Sequence, residues 1–282
     1  MTGSGILPGP HLDRLAARLR SGAAVTGVVL KMPGAALVEL AGHVGFDLVV
    51  LDTEHGPAGG ELLENHVRAA DSAGVPVVVR VSSNRPEQIL HALDAGAAGV
   101  IVPHVDTADQ AAAAVRAAHY PPHGSRGFAL STRAGRHGAA RTDRHIRDAE
   151  RTLVIAQIED VAAIPHVAEI AATPRLDAVW VGPGDLSLSV GRPGDLDHPD
   201  VTAAIDRIVT DAQGARNAKL CVIVRDEREA RSWRSRGAAI VLYNAIDVIR
   251  TSLTSLASGT DAEAGPPPAR RPLDKTREQE HR

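Results

Sequence analysis

A (β/α)₈ barrel, the TIM-barrel fold, is the fold class that this sequence predicts, and two patterns carry the prediction. Eight short runs rich in Val and Ile recur along the chain, each nearly continuously apolar, which is typical of parallel strands buried on both faces. Helix-like stretches rich in Ala separate these runs, and eight such units in about 250 residues match a closed barrel. A doubly wound open sheet has the same local pattern and stays open as an alternative. The eight predicted strands are Val25–Leu30, Asp47–Asp52, Pro76–Val81, Gly99–Pro103, Thr152–Ile158, Asp177–Gly182, Lys219–Val224 and Ala238–Tyr243.

The connecting segments have a helical pattern, apart from one long irregular stretch. His119–Glu150 is rich in Gly, Arg and His, and a connection of that length is usually functional or partly disordered. The barrel domain is predicted to span residues 12–258, after a flexible terminus at 1–11. Residues 259–282 contain many Pro and charged residues and few apolar ones, which predicts a disordered tail. The clearest predicted helices are Pro86–Ala95, Thr107–Ala118, Val161–Ala172 and Pro199–Asn217.

Composition excludes several classes of protein. The chain has 282 residues, of which 44% are hydrophobic, enough for one large domain with a full core. A net charge of −3 and an aromatic content of 2% argue against the basic face and stacking platforms of nucleic-acid-binding proteins. The single cysteine, Cys221, excludes an intrachain disulfide and indicates a reducing compartment. The sequence has no pattern of a signal peptide or a membrane span, so we expect a soluble cytoplasmic protein.

Polar side chains stand at the carboxyl ends of several predicted strands, where the active sites of (β/α)₈ barrels lie. The second strand leads into Thr-Glu-His, which ends at His55, and the third strand reaches Arg80. The fifth strand is followed by Glu159, and the sixth by Gly-Pro-Gly-Asp, which ends at Asp185. Two acids, a histidine and an arginine are therefore expected to meet at one mouth of the barrel, although they are far apart in sequence.

These four residues suit enolate chemistry on a 2-oxo acid. Glu159 and Asp185 offer hard oxygen ligands without a Cys or His pair beside them, which favours Mg²⁺ or Mn²⁺, with Co²⁺ as a further candidate, over tetrahedral zinc. Such a cation can accept the carboxylate and keto oxygens of the substrate and stabilise the enolate formed when C3 loses a proton. Arg80 can donate to the same developing oxyanion. His55 offers an imidazole, which suits proton transfer.

Each of these residues also has an ordinary structural interpretation. An acid at a strand end often caps the next helix or binds its loop, and His-Gly-Pro is a common turn. Arg80 can pair with Glu54 or Asp52, and Cys221 suits a small buried core position. The remaining isolated histidines are interpreted as surface or structural groups; those considered are His43, His66, His91, His104 and His119.

Five longer stretches together carry a family resemblance. They are GFDLVVLDTEHGP (45–57), VPVVVRVSSNRPEQILHALDAGAAGVIVPHV (75–105), YPPHGSRG (120–127), QIED (157–160) and VGPGDLSLSVG (181–191). In this order they closely resemble the HpcH/HpaI aldolase family, the metal-dependent class II pyruvate aldolases of the citrate-lyase-like superfamily, over residues 12–256. The resemblance implies a TIM barrel of the phosphoenolpyruvate/pyruvate type. It also implies a lyase that reversibly cleaves a 4-hydroxy-2-oxo acid to pyruvate, or an analogue, and an aldehyde.

The same resemblance assigns roles to individual residues. It implies that Glu159 and Asp185 bind the divalent metal and that Arg80 stabilises the enolate oxygen. His55 is implied in acid–base chemistry, supported by Asp94 and Asp52. Members of the family are usually homo-oligomers, hexamers built as trimers of dimers. The residues implied in substrate binding are Gln157, Gly182, Pro183, Gly184 and Arg133.

Several alternatives stay open. The segment LYNAID (242–247) stands where the family usually has Gly-x-Asp, which leaves the substrate undefined. A Schiff-base aldolase needs an active lysine, and only Lys31 follows a strand at the expected mouth. A CoA-thioester lyase or an oxaloacetate decarboxylase keeps the site with a different leaving fragment. A catalytically silent barrel is the alternative outside the enzymes.

Overall fold

A closed barrel of eight parallel strands forms the centre of the molecule. The computed structural model describes residues 9–57, 59–215 and 217–258. The strands follow one another in chain order, and the last pairs with the first, with Val25 beside Ile240. The predicted (β/α)₈ barrel is therefore confirmed, and the open-sheet alternative is wrong. The strands are β1 (Val25–Leu30), β2 (Leu48–Asp52), β3 (Val77–Arg80), β4 (Gly99–Val102), β5 (Leu153–Ile158), β6 (Ala178–Val181), β7 (Lys219–Val224) and β8 (Ala238–Asn244).

Helices connect the strands. The unit that contains the barrel extends to Val248, and a second unit begins at Ile249, within the last helix. None of the helices in the described part of the chain is long and apolar enough to cross a membrane. The predicted tail at 259–282 lies outside the described residues, as do residues 1–8 of the predicted flexible terminus. The α-helices are α1 (Gly9–Ser21), α2 (Ala35–His43), α3 (Gly60–Ala73), α4 (Pro86–Asp94), α5 (Ala108–Ala118), α6 (Thr142–Ala149), α7 (Val167–Ala171), α8 (Pro183–Ser189), α9 (Pro199–Gly214), α10 (Glu227–Ser235) and α11 (Ala245–Ala257).

Side chains alternate along each strand between the barrel interior and the helical layer, because successive residues of a strand point to opposite faces. On β2, Leu48 and Val50 belong to the interior cluster, whereas Val49 and Leu51 pack in the outer one. Gly27 of β1 leaves space between the inward side chains, since a Cβ there would lie 2.7 Å from Leu242 and 2.8 Å from Leu48. The interior is therefore a packed core.

The inward rows of three strands end in polar residues at the carboxyl end of the barrel. On β2 the row that begins with Leu48 and Val50 ends in Asp52. The inward residue of β3 after Val78 is Arg80, and that of β5 after Ile155 is Gln157. The alternation that builds the core thus places these three side chains at one mouth.

Two predicted segments differ from the structure. Val161–Ala172 is a 3₁₀ helix (Val161–His166) followed by the short α7, rather than one α-helix. Pro165 lies inside it, and proline lacks the N–H that a continuous helix requires. The irregular stretch 119–150 is more ordered than predicted, since it contains a 3₁₀ turn at Arg136–Gly138 and all of α6.

Candidate active site

A buried ion pair at the ends of β2 and β3 forms the floor of the site. The register of these strands places Asp52 beside Arg80, and both side chains are buried. Arg80 Nε donates to Asp52 Oδ1 at 3.1 Å, and Nη2 donates to Oδ2. Burial raises the pKa of Asp52, but the hydrogen bond and charge of Arg80 outweigh it and hold that pKa below its ordinary value. Asp52 is therefore ionised, and it fixes the arginine in position.

Asp52 also shapes the turn that carries His55. Its Oδ1 accepts hydrogen bonds from the backbone N–H groups of Glu54, at 3.0 Å, and His55, at 3.1 Å. Gly56 closes the same turn, where a Cβ would lie 2.4 Å from the carbonyl oxygen of Asp52. One carboxylate thus contacts both the guanidinium of Arg80 and the backbone of the turn that carries His55.

Arg80 has neighbours from three other parts of the mouth. Nη1 donates to Gln157 Oε1 at 3.3 Å and lies 2.9 Å from Glu54 Oε2. The contact with Glu54 is electrostatic, because that oxygen has no well-aligned hydrogen-bond donor. The guanidinium also lies 5.4 Å from the ring centre of Trp180. A guanidinium has five N–H donors, so these contacts hold it in place and still leave a donor for a substrate oxygen.

Glu159 follows β5 and is the most deeply buried acid of the mouth after Asp52, with 1% exposure. Its Oε1 accepts from the backbone N–H of His104 at 2.9 Å, and its Oε2 accepts from Gln157 Nε2. Burial raises the pKa of Glu159 to about 7, and the nearby charges of Glu54 and Asp185 act in the same direction. A buried carboxylate among other acids is a favourable position for a cation.

His55 and Asp185 complete the predicted group. The Nε2 atom of His55 lies 3.8 Å from Glu54 Oε2 and 4.0 Å from Asp185 Oδ2, and its side chain is 49% exposed. Asp185 lies in the first turn of α8. The structure therefore brings His55, Arg80, Glu159 and Asp185 together at the carboxyl end of the barrel.

The Gly-Pro-Gly-Asp segment passes close to Glu159. A Cβ on Gly182 would lie 2.8 Å from both Gln157 Nε2 and Glu159 Oε2, so a larger residue there would displace these two side chains. Pro183 begins α8, and the space beside Gly184 is open. The backbone thus approaches the Gln157–Glu159 pair on one side and leaves room for a ligand on the other.

Sequence reasoning missed His104, which was assigned to the surface or structural histidines. Its Nδ1 lies 3.3 Å from Glu159 Oε1, and its Nε2 lies 3.4 Å from Glu54 Oε1. Within the described residues, Glu54, His104 and Glu159 each offer one ligand atom, and these three atoms lie within 4.8 Å of one another. The signal was available, because His104 directly follows the strand GVIV and its Pro, at the same carboxyl end that predicted the other residues.

Two predicted residues lie elsewhere in the chain. Asp94 is the last residue of α4, and its Oδ1 accepts from Arg126 Nη2 at 2.9 Å. The end of α4 leads to the amino end of β4, opposite the mouth, so within one chain Asp94 contacts Arg126 and not His55. The support of His55 by Asp94 that the resemblance implies stays a prediction.

Arg133 is the second of these residues. Its Nη1 donates to the Ala95 carbonyl at 3.1 Å, and its Nη2 donates to Asp71. It therefore anchors the irregular stretch against α3 and the end of α4. These contacts lie away from the mouth of this chain, and the role near the aldehyde that the resemblance implies for Arg133 stays a prediction.

Comparisons with known proteins agree with the geometry. The family model described as HpcH/HpaI aldolase/citrate lyase matches residues 27–248. A pyruvate aldolase from Rhizobium etli is 39% identical over 201 residues, which are 71% of this chain and 77% of that protein. A 2-dehydro-3,6-dideoxy-6-sulfogluconate aldolase from Pseudomonas putida is 40% identical over 192 residues, 68% of this chain and 75% of that protein.

Solved structures of the same family are also similar to this chain. The crystal structure of an HpcH/HpaI aldolase/citrate lyase family protein from Burkholderia cenocepacia J2315 has a TM-score of 0.80 and 33% identity, covering 87% of this chain and 98% of that one. The family match spans most of the barrel, from β1 into α11. The predicted resemblance is confirmed, and the chain belongs to the HpcH/HpaI aldolase/citrate lyase family.

Proposed function

We propose that the protein is a divalent-metal-dependent aldolase that reversibly cleaves a 4-hydroxy-2-oxo acid to pyruvate, or a close analogue, and an aldehyde. The observation that carries the proposal is a deeply buried Glu159 among acids, beside the fixed guanidinium of Arg80. The aldolase class itself is confirmed by the family and by the aldolase names of its relatives.

The donor set of the mouth fits a divalent cation. Glu159 and Asp185 are the residues that would hold it, and the preponderance of carboxylate oxygen favours Mg²⁺ or Mn²⁺, with Co²⁺ as a further candidate. The raised pKa of Glu159 reflects the burial of its carboxylate and the nearby charges of Glu54 and Asp185, and a bound cation would supply positive charge there. When bound, the cation acts as a Lewis acid toward the ketone of the substrate.

Arg80 provides the second source of positive charge at the reacting ketone. Its bonds to Asp52 and Gln157 hold the guanidinium before substrate arrives, so little reorganisation is needed as negative charge develops on the ketone oxygen. The remaining N–H donors bind that oxygen. Gln157 and the backbone of Gly182, Pro183 and Gly184 bind the rest of the pyruvate portion.

His55 moves the proton. Its Nε2 faces the mouth between Glu54 and Asp185, and the half-exposed ring can exchange protons with solvent. In cleavage Nε2 accepts the proton of the 4-hydroxyl group, directly or through a water molecule, as the C3–C4 bond breaks and the aldehyde leaves. The enolate that remains takes a proton at C3 from the solvent-exchanging mouth to give pyruvate, and synthesis runs through the same steps in reverse. Asp52 is a positioning residue, since it orients the turn and neutralises Arg80.

The decisive test separates this reaction from its alternatives. The purified protein is incubated with pyruvate or hydroxypyruvate and a panel of aldehydes, with Mg²⁺, Mn²⁺ or Co²⁺, and product formation is followed by chromatography. We expect condensation that stops after exhaustive chelation and returns when a cation is added. Turnover that survives chelation, with borohydride trapping of pyruvate on Lys31, would establish a Schiff-base enzyme instead.

Parallel samples contain acyl-CoA thioesters or oxaloacetate. Turnover of a thioester without any aldol product would show that the protein is a CoA-thioester lyase instead. Release of carbon dioxide from oxaloacetate without any aldol product would show that it is a decarboxylase.

We also propose that the protein is a cytoplasmic homo-oligomer, a hexamer arranged as a trimer of dimers. Analytical ultracentrifugation measures the assembly.

A further inference from the structure

His104 has an unusual backbone conformation at the mouth of the barrel. It follows β4 after Pro103, and its φ of 52° lies in the left-handed region, which is uncommon for residues other than glycine, although Asn, Asp and His adopt it more often than the rest. In this conformation its backbone N–H donates to Glu159 Oε1 at 2.9 Å. The backbone is therefore tied to the carboxylate that we propose as a metal ligand, and strained positions of this kind cluster at functional sites.

The two ring nitrogens of His104 face two different carboxylates. Nε2 lies 3.4 Å from Oε1 of Glu54, whose other oxygen already faces Arg80. Nδ1 lies 3.3 Å from Oε1 of Glu159, which has no cationic side chain bonded to it among the described residues other than this ring. Glu54 is thus suited to hold the Nε2–H, and Nδ1 is left directed toward the cation site.

This arrangement has the form of a carboxylate–histidine–metal relay. Histidines that bind metals usually donate their second ring N–H to a carboxylate, which fixes the tautomer and the orientation of the ring. Neighbouring ligands of an octahedral ion at about 2.1 Å from the metal lie about 3 Å apart, and Nδ1 and Glu159 Oε1 are 3.3 Å apart. The spacing therefore suits two ligands of one ion.

Resting on the proposed metal-dependent function, we propose that Nδ1 of His104 is a ligand of the cation bound by Glu159, with Glu54 holding the opposite ring nitrogen. A site with an imidazole ligand binds cations differently from an all-oxygen site, because nitrogen favours later transition metals, whereas Mg²⁺ prefers oxygen. The protein consequently prefers Co²⁺ and Mn²⁺ to Mg²⁺ by more than its carboxylates alone would produce.

Metal binding measured without substrate tests this assignment. His104→Asn removes the imidazole but keeps a residue that tolerates a positive φ, and His91→Gln changes an exposed histidine of α4 as the matched control. In isothermal titration calorimetry, we expect His104→Asn to weaken Co²⁺ binding about 10–100-fold, with a much smaller change for Mg²⁺. The His91→Gln protein should bind both cations as the unaltered protein does.

Pulsed electron paramagnetic resonance of the Mn²⁺-loaded protein, labelled with ¹⁵N-histidine, gives a readout that does not depend on turnover. We expect a directly coupled histidine nitrogen in the unaltered protein, in His91→Gln and in His55→Gln, and its loss in His104→Asn. Absence of coupling in the unaltered protein, or its loss in His55→Gln instead, overturns the role of His104.

The failure of this inference and that of the proposed function are distinguishable. If aldol activity is sensitive to chelation but no nitrogen is coupled to the cation, His104 is not a ligand and the aldolase proposal still holds. A protein that binds none of the three cations and still turns over removes both.

Discussion

Two acids with raised pKa values lie at opposite ends of the barrel, and their partners differ. Glu159, at the carboxyl end, has a pKa of about 7 and lies near Glu54 and Asp185. Asp177, which precedes β6 at the amino end, has a pKa of about 6 for the same first cause, burial. Its Oδ2, however, accepts from the backbone N–H of Val154 at 2.8 Å.

A second acid at the amino end also accepts a hydrogen bond from a backbone N–H group of a neighbouring strand. Asp47 precedes β2, its Oδ2 accepts from the backbone N–H of Thr26 at 2.9 Å, and its Oδ1 lies 3.3 Å from Arg18. Asp47 and Asp177 each bind the first residues of a neighbouring strand, which is a structural task. A raised pKa therefore does not identify a catalytic acid by itself. What distinguishes the acid at the mouth from the acid at the amino end is that it lies among other acids, beside open space.

The largest effect is expected from the acids of the mouth. Glu159→Gln and Asp185→Asn should each lower kcat/KM about 10³-fold, because a Lewis acid supplies several kcal/mol of transition-state stabilisation. Calorimetry should show the loss of cation binding, whereas denaturation should show stability equal to or above that of the unaltered protein, since each change removes a negative charge from an acidic cluster. Asp177→Asn is the control, and we expect it to bind the cation normally. A similar loss of cation binding in this variant would contradict the claim that only the acids at the carboxyl end of the barrel bind the cation.

The next largest effect is expected at Arg80. Arg80→Lys keeps a positive charge beside the buried Asp52 but loses the planar fork of donors. Deuterium exchange into C3 of pyruvate, followed by nuclear magnetic resonance, should slow about 10²–10³-fold. Arg68→Lys makes the same chemical change on the exposed face of α3, where Arg68 pairs with Glu64, and should leave exchange close to normal. Equal losses in both variants would contradict the role of Arg80.

A smaller effect is expected at His55. His55→Gln should slow turnover about 10²-fold, at the low end of the range for general acid–base catalysis, because the half-exposed ring can be replaced partly by water. Pyruvate affinity, measured by calorimetry in the presence of the cation, should change little. A variant with weakened pyruvate binding and normal turnover would assign His55 to binding instead.

The smallest effect concerns stability at the amino end. Since the folded-state pKa of Asp177 is raised to about 6 from 3.8, the folded protein binds this proton more tightly than the unfolded chain. The resulting stabilisation is complete below about pH 4 and is lost as the pH rises through 6. Asp177→Asn should therefore gain about 1–3 kcal/mol relative to the unaltered protein between pH 4 and 7, in urea denaturation. A pH-independent difference would contradict the role of burial.

Much of the fold and of the mouth was predictable because strands alternate and barrels bind ligands at their carboxyl ends. This rule places His55, Arg80, Glu159 and Asp185 at one end of the barrel without three-dimensional information, whereas Gln157 is expected there only from the family resemblance. His104 obeys the same rule but was passed over, since neither its left-handed backbone nor its distances to two glutamates can be read from the sequence. Arg133 differs, because it lies in an irregular stretch that has no periodicity from which the direction of its side chain could be predicted.

The pairing of Asp52 with Arg80 across β2 and β3 ties correct assembly to chemistry. A slip of one residue between these strands would turn one partner toward the helices and leave the other charge alone inside the protein, at a cost of several kcal/mol. The Asp52–Arg80 pair therefore makes misaligned pairing of β2 and β3 less stable than the native pairing. Once the protein has folded, the guanidinium of Arg80 is already oriented for the substrate.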